Sequence, residues 1–268
     1  VQASGCNVGS FAAYCRGKLF CKGKAMSKAM PRVPFKTPYL PENPKVVGVQ
    51  EGYDLWSEIY DEESNALIML EQMHLFPELL KRRYENIFDC GCGTGRLAIW
   101  LRQHFPGATI TGADFSEGML SKARQKSPDH NINWRNADLN KPFPFPDEQF
   151  DLVVSSLVIE HISDLPNYFG GIRKVARPDA DIFISGLHPA MHLLGITARF
   201  KNSENNAHIL PESLCHSLSD VFNAAVTSGL RVLRIEEHHV DDRLIAQCAK
   251  AARYEGMPLL FFMKMQRA

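Results

Sequence analysis

The feature that most constrains this sequence is a glycine-rich turn between a short apolar run and an amphipathic segment. Ile87–Cys90 is typical of a buried strand, and Gly91-Cys92-Gly93-Thr94-Gly95 follows it directly, before a helical pattern begins. Such a turn lets the backbone approach a ligand closely at a helix N-terminus. A dinucleotide site would require glycine where this chain has Arg96. The spacing therefore favours a ligand without a pyrophosphate, and the alternative is a tight connection with no ligand.

Apolar runs with the length of strands alternate with amphipathic segments along the rest of the chain. This alternation predicts an α/β fold of the Rossmann-like, doubly wound type, with a mostly parallel sheet and helices on both faces. It breaks down between Leu187 and Ser217, where we expect an irregular insertion. Beyond the first strand, the expected strands are Thr109–Ala113, Asn131–Trp134, Phe150–Val154, Asp181–Ser185, one near Val232, and Leu259–Met263. The expected helices include Leu165–Val175 and Leu218–Ser228.

The first 45 residues differ in composition from the rest of the chain. Residues 1–41 contain seven basic and no acidic residues, and five prolines follow between Pro31 and Pro44. Such a segment is either an organelle transit peptide or a disordered leader extension that runs into an extended linker. We favour the second interpretation. We therefore expect a single domain to span residues 46–268, with residues 1–45 outside its fold.

Bulk properties exclude several classes of function. The 30 basic and 30 acidic residues give a net charge of zero, which disfavours nucleic acid as a partner. No apolar run approaches the roughly 20 residues that a membrane span requires. The 7 cysteines form no Cys-x-x-Cys pair, so reduced thiols are expected. These properties predict a cytoplasmic protein, or an organellar one if the basic leader is a transit peptide, and they leave the oligomeric state open.

Polar residues follow each of the next three predicted strands. Asp114 ends the second strand, nineteen residues after Gly95, where a carboxylate can accept hydrogen bonds from ribose hydroxyls. Asn136–Leu139 follow the third strand, and Ser155–His161 follow the fourth. Each motif is common by itself, and Asp114 could simply favour the dipole of the next helix. Because carboxyl ends of parallel strands meet at one edge, the four motifs together predict a nucleoside-binding crevice.

The motifs Asp89–Gly95, Gly112–Leu120, Asn136–Leu139 and Phe150–His161 together resemble those of the class I S-adenosylmethionine-dependent methyltransferases. The resemblance is to the broad subgroup that includes quinone-biosynthesis and other small-molecule enzymes, and it runs from about Tyr53 to the C-terminus. It implies a seven-stranded sheet whose last strand is antiparallel, with a lid insertion after strand five. It also implies S-adenosylmethionine as cofactor and a small molecule as methyl acceptor, but it does not identify that acceptor.

The resemblance further implies which residues contact the cofactor. Asp89 and Gly91 would lie near its methionine part, and Asp114 at its ribose. The adenine would lie near Phe115 and Met119, with its amine at Asp138. The full set expected to contact the cofactor is Tyr60, Asp89, Gly91, Cys92, Gly93, Asp114, Phe115, Met119, Asn136, Ala137, Asp138, Leu139, Ser155 and Leu157.

Two further segments could complete the site. Gly52–Asp61 resembles the family's N-terminal cover, in which aromatic rings close over the cofactor; the alternative is a helix that uses Trp56 and Tyr60 as core residues. The insertion after strand five begins with Gly186–His192. A zinc-protease motif would need glutamate after its first histidine, and this chain has Pro189 there, so we expect no metal.

Methyl transfer from a sulfonium needs a base only if the acceptor arrives protonated. His161 and His188 are the candidates for this catalytic role, because each follows the carboxyl end of a strand that faces the crevice. A structural histidine bonded to the backbone is an equally good interpretation for each. Cys92, inside the turn, is better explained as a small filler than as a nucleophile.

Three other functions compete with a small-molecule methyltransferase. A nicotinamide-dependent dehydrogenase is disfavoured by Arg96. A non-catalytic regulator that binds S-adenosylmethionine could carry the same motifs. A methyltransferase acting on nucleic-acid bases would show Asn-Pro-Pro-aromatic after strand four, where this chain has Ser155-Ser156-Leu157-Val158.

Overall fold

The computed structural model describes residues 39–62, 64–128, 131–147, 149–202 and 205–268. The basic segment that the sequence places before the domain therefore lies mostly outside the described residues. Ten strands occur within the described ranges: β1 (Lys45–Val47), β2 (Asn86–Cys90), β3 (Thr109–Asp114), β4 (Ile132–Asn136), β5 (Phe150–Ser156), β6 (Ala176–Leu187), β7 (Phe200–Lys201), β8 (His208–Pro211), β9 (Leu230–His239) and β10 (Pro258–Arg267).

Eight α-helices connect these strands within the same described ranges. They are α1 (Val49–Trp56), α2 (Ala66–Leu79), α3 (Arg96–His104), α4 (Glu117–Lys126), α5 (Leu165–Val175), α6 (Pro189–Leu193), α7 (Leu218–Thr227) and α8 (Asp242–Gln247). Short 3-10 helices cover Ile159–His161 and Ala249–Tyr254. In the part of the chain that the structure describes, no helix has the length and apolar character needed to cross a membrane.

Seven strands form one sheet in the order β4-β3-β2-β5-β6-β10-β9 within the described residues. The pairs from β4 to β6 are parallel, whereas β10 runs antiparallel to both β6 and β9. Consecutive residues of a strand point to opposite faces, so Ile87 and Phe88 enter different core clusters. Helices α5 and α7 pack on the Phe88 face, and α2 and α3 on the Ile87 face. The predicted doubly wound α/β fold with an antiparallel last strand is confirmed.

The insertion after β6 is more regular than its sequence pattern predicts. It contains α6 and the antiparallel pair β7 and β8, and β8 pairs in parallel with β1, with Lys45 opposite Ile209. Strands this short have no readable period, and β1 and β8 lie far apart in the chain. Tyr39 also packs on the domain, since its ring meets that of Tyr254 with centroids 5.2 Å apart. The packed part of the chain thus begins before residue 46.

A buried polar network ties α2 to the carboxyl edge of the sheet. Glu71 of α2 is completely buried and accepts hydrogen bonds from Arg96 at 2.7 Å and Ser156 at 2.6 Å. It also accepts a bond from the hydroxyl of Ser185. The network therefore connects α2 with α3, β5 and β6, and it explains structurally why arginine follows the glycine turn.

We predict that Glu71→Ala lowers the free energy of unfolding by about 3–5 kcal/mol, because it leaves the Arg96 guanidinium buried without its counter-charge. Urea denaturation measures this loss. The matched control is Glu58→Ala, which removes an ion pair with Lys122 from a glutamate side chain that is 75% exposed. The control should lose no more than about 1 kcal/mol. Equal losses in the two variants would contradict a special role for Glu71.

Candidate active site

The turn after β2 forms the floor of the candidate site. Gly91 and Gly93 both have positive φ angles, of 86° and 53°, which disfavour other residues. A Cβ atom at Gly91 would lie 2.3 Å from Val158, so this glycine is fixed by packing. A Cβ atom at Gly93 would meet no atom within 4 Å. Gly93 therefore presents bare backbone to open space, where a ligand can approach it closely.

A first cavity of about 370 Å³ opens over this turn. Its volume suits a nucleoside-sized ligand, since small-molecule pockets measure about 300–1,000 Å³. It lies between the start of α1 and the carboxyl ends of β3 and β5. The sequence-predicted residues that line it are Tyr60, Gly91, Gly93, Asp114, Phe115, Met119, Asp138, Leu139, Leu157 and His161.

Asp114 joins the end of β3 to the glycine turn. One of its carboxylate oxygens accepts a hydrogen bond from the Gly93 amide at 2.9 Å, and the other from the Ser116 amide at 2.9 Å. Burial raises the pKa of Asp114, and the backbone hydrogen bonds oppose that rise. Ser116 caps α4 by accepting a bond from Met119 at 3.1 Å. Asp114 thus faces the cavity as a fixed acceptor, with lone pairs left for a ligand.

Asp138 lies across the cavity from this turn, beyond the end of β4. One of its oxygens accepts a hydrogen bond from the Asn140 amide at 3.0 Å, and Lys141 lies 3.3 Å from the other. Phe115, Met119 and Leu139 also line this cavity. The end of the cavity at Asp138 therefore combines apolar walls with one carboxylate.

Five residues expected to contact the cofactor do not line this cavity: Asp89, Cys92, Asn136, Ala137 and Ser155. Asp89 is completely buried and accepts a hydrogen bond from the Ala98 amide at 3.0 Å, and burial raises its pKa to about 7. Burial also raises the pKa of the Cys92 thiol, which suits a filler. Asn136 donates to the Phe115 carbonyl at 3.2 Å. These five residues lie outside the cavity lining, next to the backbone segments that form it.

A second cavity of about 880 Å³ adjoins the first, and Tyr53, Tyr60 and Leu157 line both. Leu157 has a φ angle of 58°, in the left-handed region that non-glycine residues rarely adopt. Its amide donates to the backbone oxygen and to the hydroxyl of Ser185, both at 3.2 Å. Backbone strain of this kind concentrates at functional sites, where surrounding contacts hold it. Leu157 thus marks the junction of the cavities.

Aromatic rings form one wall of the second cavity. Trp56 stacks on Phe200 with ring centroids 5.1 Å apart, and it meets Tyr60 edge-on at 5.0 Å. Tyr53 stacks on Trp56 at 5.7 Å. The segment predicted as an N-terminal cover therefore contributes to both cavities. The sequence did not indicate that Phe200 would pack against Trp56 of this segment. The cavity is also lined by the cationic residues Arg199, Lys201, Lys250 and Arg253.

The two candidate bases have different surroundings. His161 lines the first cavity, and its Nε2 lies 2.8 Å from the Tyr53 hydroxyl while its Nδ1 lies 3.0 Å from the Glu212 carbonyl. A carbonyl can only accept, so Nδ1 carries the proton and Nε2 accepts from Tyr53. Burial lowers the pKa of His161 to about 4. His161 is therefore a neutral ring with both nitrogens bonded.

His188 does not line either cavity. Its Nε2 lies 2.7 Å from a carboxylate oxygen of Glu237, and its Nδ1 accepts from the Ala190 amide at 3.2 Å. The ring thereby caps α6. Both ring nitrogens of His188 are thus engaged outside the two cavities. This arrangement is consistent with the structural interpretation, and a catalytic role for His188 stays a prediction.

Glu160 stands in the motif after β5, but the residue pattern gave no reason to expect it in a cavity wall. It lines the second cavity with only 6% of its surface exposed, and its Oε2 is buried without a hydrogen-bond partner. Burial, with a smaller contribution from Glu71, raises its pKa to about 7. A buried orphan oxygen in a cavity wall would have been hard to infer from sequence. In the described residues, no group of three or more side chains is arranged to hold a metal ion.

Comparison with known proteins shows what this chain resembles. Residues 88–184 match the model of the methyltransferase domain family. An uncharacterized methyltransferase of Emericella nidulans is 27% identical over 244 residues, which cover 76% of this chain and 85% of that protein. A ubiquinone/menaquinone biosynthesis C-methyltransferase of Desulfotalea psychrophila is 30% identical over 93 residues, covering 35% of this chain and 37% of that protein.

A solved structure shares the fold. It is an S-adenosylmethionine dependent methyltransferase from Mesorhizobium loti, 24% identical, with a TM-score of 0.60 over 74% of this chain and 98% of that one. The matched segment runs from β2 to β6 and includes the glycine turn, Asp114 and the junction at Leu157. Residues 88–184 thus match a methyltransferase domain, and the chain shares the fold of this solved methyltransferase.

Proposed function

We propose that this enzyme holds S-adenosylmethionine in the first cavity and transfers its methyl group to a small molecule held in the second. The observation that carries this proposal is the junction of the two cavities at Tyr53, Tyr60 and Leu157. An in-line displacement needs donor and acceptor on opposite sides of one short passage. Two adjoining cavities with a shared wall supply that arrangement.

The first cavity fits the cofactor in its polar groups as well as in its size. We assign Asp114 to the ribose hydroxyls and Asp138 to the adenine amine. Phe115, Met119 and Leu139 would enclose the adenine ring, and the methionine part would lie over Gly91, Gly93 and Leu157. Asp89, Cys92, Asn136, Ala137 and Ser155 would act indirectly, by holding the turn and strand ends that form the cavity wall.

The second cavity suits a small acceptor with an aromatic or apolar body. Trp56, Tyr60 and Phe200 offer ring faces, and such faces favour offset-stacked or edge-on partners. The net charge of zero supports a small molecule over nucleic acid. We also propose a reducing compartment such as the cytoplasm, because Cys90, Cys92 and Cys248 are buried as thiols.

The cofactor supplies a methyl group already activated on a sulfonium, so the leaving thioether is neutral and needs no acid. The chain's own residues then have three tasks: to align the acceptor, to exclude water and to accept a proton from the acceptor. Tyr53 and Tyr60 close the passage between the cavities. His161 holds the Tyr53 hydroxyl through its hydrogen bond at 2.8 Å.

The proposal is tested by ligand retention and by turnover. We expect the protein to be retained on immobilised S-adenosylhomocysteine and not on immobilised NAD. With labelled S-adenosylmethionine, it should label at least one member of a panel of small aromatic and aliphatic hydroxy and amino compounds. Retention on S-adenosylhomocysteine without any labelling would favour the non-catalytic regulator, and retention on NAD would favour the dehydrogenase.

We predict that Asp114→Ala weakens binding of S-adenosylhomocysteine by about 1.5–3 kcal/mol, the range for a hydrogen bond to a charged group. Isothermal calorimetry gives the affinity, and circular dichroism verifies the fold. Asp179→Ala serves as control, since Asp179 is an exposed aspartate near the start of β6 that bonds Arg82. An unchanged affinity in Asp114→Ala would remove Asp114 from the ribose site.

We predict that His161 makes the protein less stable as the pH falls. Burial lowers its folded pKa to about 4, below the 6.5 of an ordinary histidine, so the unfolded chain binds more protons between these values. The free energy of unfolding should therefore decrease as the pH falls from about 6.5 to about 4. His161→Gln should flatten this dependence in urea titrations, although His192, whose pKa burial also lowers to about 4, will keep part of it. An identical slope in both proteins would contradict the neutral state assigned to His161.

A further inference from the structure

We propose that Glu160 is the catalytic base of this enzyme, and that its acceptor is an aromatic hydroxyl compound whose proton Glu160 removes. This inference rests on the proposed function, because it takes the second cavity as the acceptor site. It goes further by naming the group that receives the proton and the class of molecule that gives it.

The first support is an unmet hydrogen bond. Glu160 has 6% of its surface exposed, yet its Oε2 has no partner and its side chain lines the second cavity. A buried carboxylate oxygen without a donor is unfavourable, so native proteins rarely keep one without a function. An acceptor that brings an O–H group into the cavity would supply the missing donor.

The second support is position. Glu160 is the one carboxylate among the described residues that line the second cavity. It belongs to the 3-10 helix Ile159–His161 and lies three residues beyond Leu157, where the two cavities meet. A base at this place lies beside the passage through which the acceptor atom must meet the methyl group. No other carboxylate in the described wall has that position.

The third support is that most of the neighbouring polar groups already have hydrogen-bond partners. The charged or titratable groups that act on Glu160 are Glu71 of α2, Tyr53 and Tyr60 at the cavity junction, and Tyr168 of α5. Glu71 is held by Arg96 and two serine hydroxyls. His161 already accepts a hydrogen bond from Tyr53, and Tyr168 bonds Ser155. Among Glu160 and these four groups, Oε2 of Glu160 is the one fully buried side-chain atom without a partner in the described part of the chain.

The proton balance of the step is simple. As the acceptor oxygen forms its bond to the methyl carbon, the carbon–sulfur bond breaks and its electron pair stays on sulfur. The O–H proton passes to Oε2 of Glu160, and the O–H bonding pair stays on oxygen, which ends neutral in the ether. The sulfonium loses its positive charge and Glu160 its negative charge. No oxidant, reductant or metal enters the balance.

An aromatic hydroxyl matches this base in shape and acidity. The rings of Trp56 and Phe200 form a wall on which an aromatic acceptor can stack. Phenolic hydroxyls have pKa values of about 10, as in tyrosine. The pKa of Glu160, which burial raises to about 7, brings the base closer to such an acid than an exposed glutamate would be. Efficient proton transfer depends on that match.

The experiment uses 2-naphthol as probe, with the protein saturated with S-adenosylhomocysteine. Calorimetry measures naphthol affinity as the pH is raised through about 7, in wild type and in Glu160→Gln. Since only the ionised carboxylate accepts the naphthol hydrogen bond fully, wild-type affinity should rise roughly tenfold, which corresponds to about 1.4 kcal/mol. The affinity of Glu160→Gln should stay flat.

Turnover gives the second readout. With S-adenosylmethionine in place of the product, wild type should convert naphthol to its methyl ether with a rate that rises through pH about 7. Glu160→Gln should lower kcat by about 10²–10⁴-fold and lose this rise. Glu160→Asp should be slow because its carboxylate is withdrawn, yet should keep the rise with pH. Glu85→Gln, an exposed control just before β2 and outside both cavities, should match wild type.

Specific outcomes overturn the proposal. If Glu160→Gln binds S-adenosylhomocysteine normally and keeps wild-type turnover, or the wild-type rise in affinity, Glu160 is not the base. If wild type binds S-adenosylhomocysteine but not naphthol, the aromatic hydroxyl assignment is wrong while the proposed function stands. If wild type fails to bind S-adenosylhomocysteine, the proposed function itself fails. A role in folding alone would lower S-adenosylhomocysteine affinity and melting temperature together, with no change in the pH profile.

Discussion

The buried carboxylate of Glu71 is the interaction on which the rest of this site depends. It holds Arg96 at the start of α3, Ser156 at the end of β5 and Ser185 in β6, so four elements meet at one charged group. Breaking one partner of such a pair is far more unfavourable than forming the whole pair is favourable. The carboxyl edge of the sheet, and the left-handed turn at Leu157 that follows Ser156, are therefore held in one arrangement.

The fold and the first cavity could be predicted because their signals are local. The strand-turn-helix pattern around Gly91 and Gly93 needs only a few consecutive residues to be recognised, and the alternation of strands and helices dictates which edge holds their loops. Asp114 and Asp138 follow strands that lie side by side, so their sequence positions alone place them at one crevice. Asp89 is completely buried and does not line the first cavity. Its sequence position could not reveal this, because a residue at the end of a buried strand points inward as readily as outward.

The second cavity could be predicted only in part, because its wall is assembled from distant segments. The sequence indicated the Gly52–Asp61 cover and the insertion after strand five, but not which of their residues meet. Tyr39, Trp56, Phe200 and Arg253 come from four parts of the chain, and two-residue strands such as β7 have no readable period. The roles of the histidines likewise depended on partners remote in sequence, Tyr53 for His161 and Glu237 for His188. An unpaired oxygen such as Oε2 of Glu160 is a property of packing, and no residue pattern encodes it.

The small sheet of β1, β8 and β7 has a consequence for how the two ligands exchange. Its β1 leads into α1, which covers the first cavity, while β7 and β8 belong to the insertion that walls the second. Parallel hydrogen bonds between β1 and β8, and Pro211 packed against Gly52, join these covers. On the proposed function, the two ligands therefore lie under covers that are joined to each other. Whatever factor the first ligand contributes to the affinity of the second is matched by an equal factor in the reverse direction.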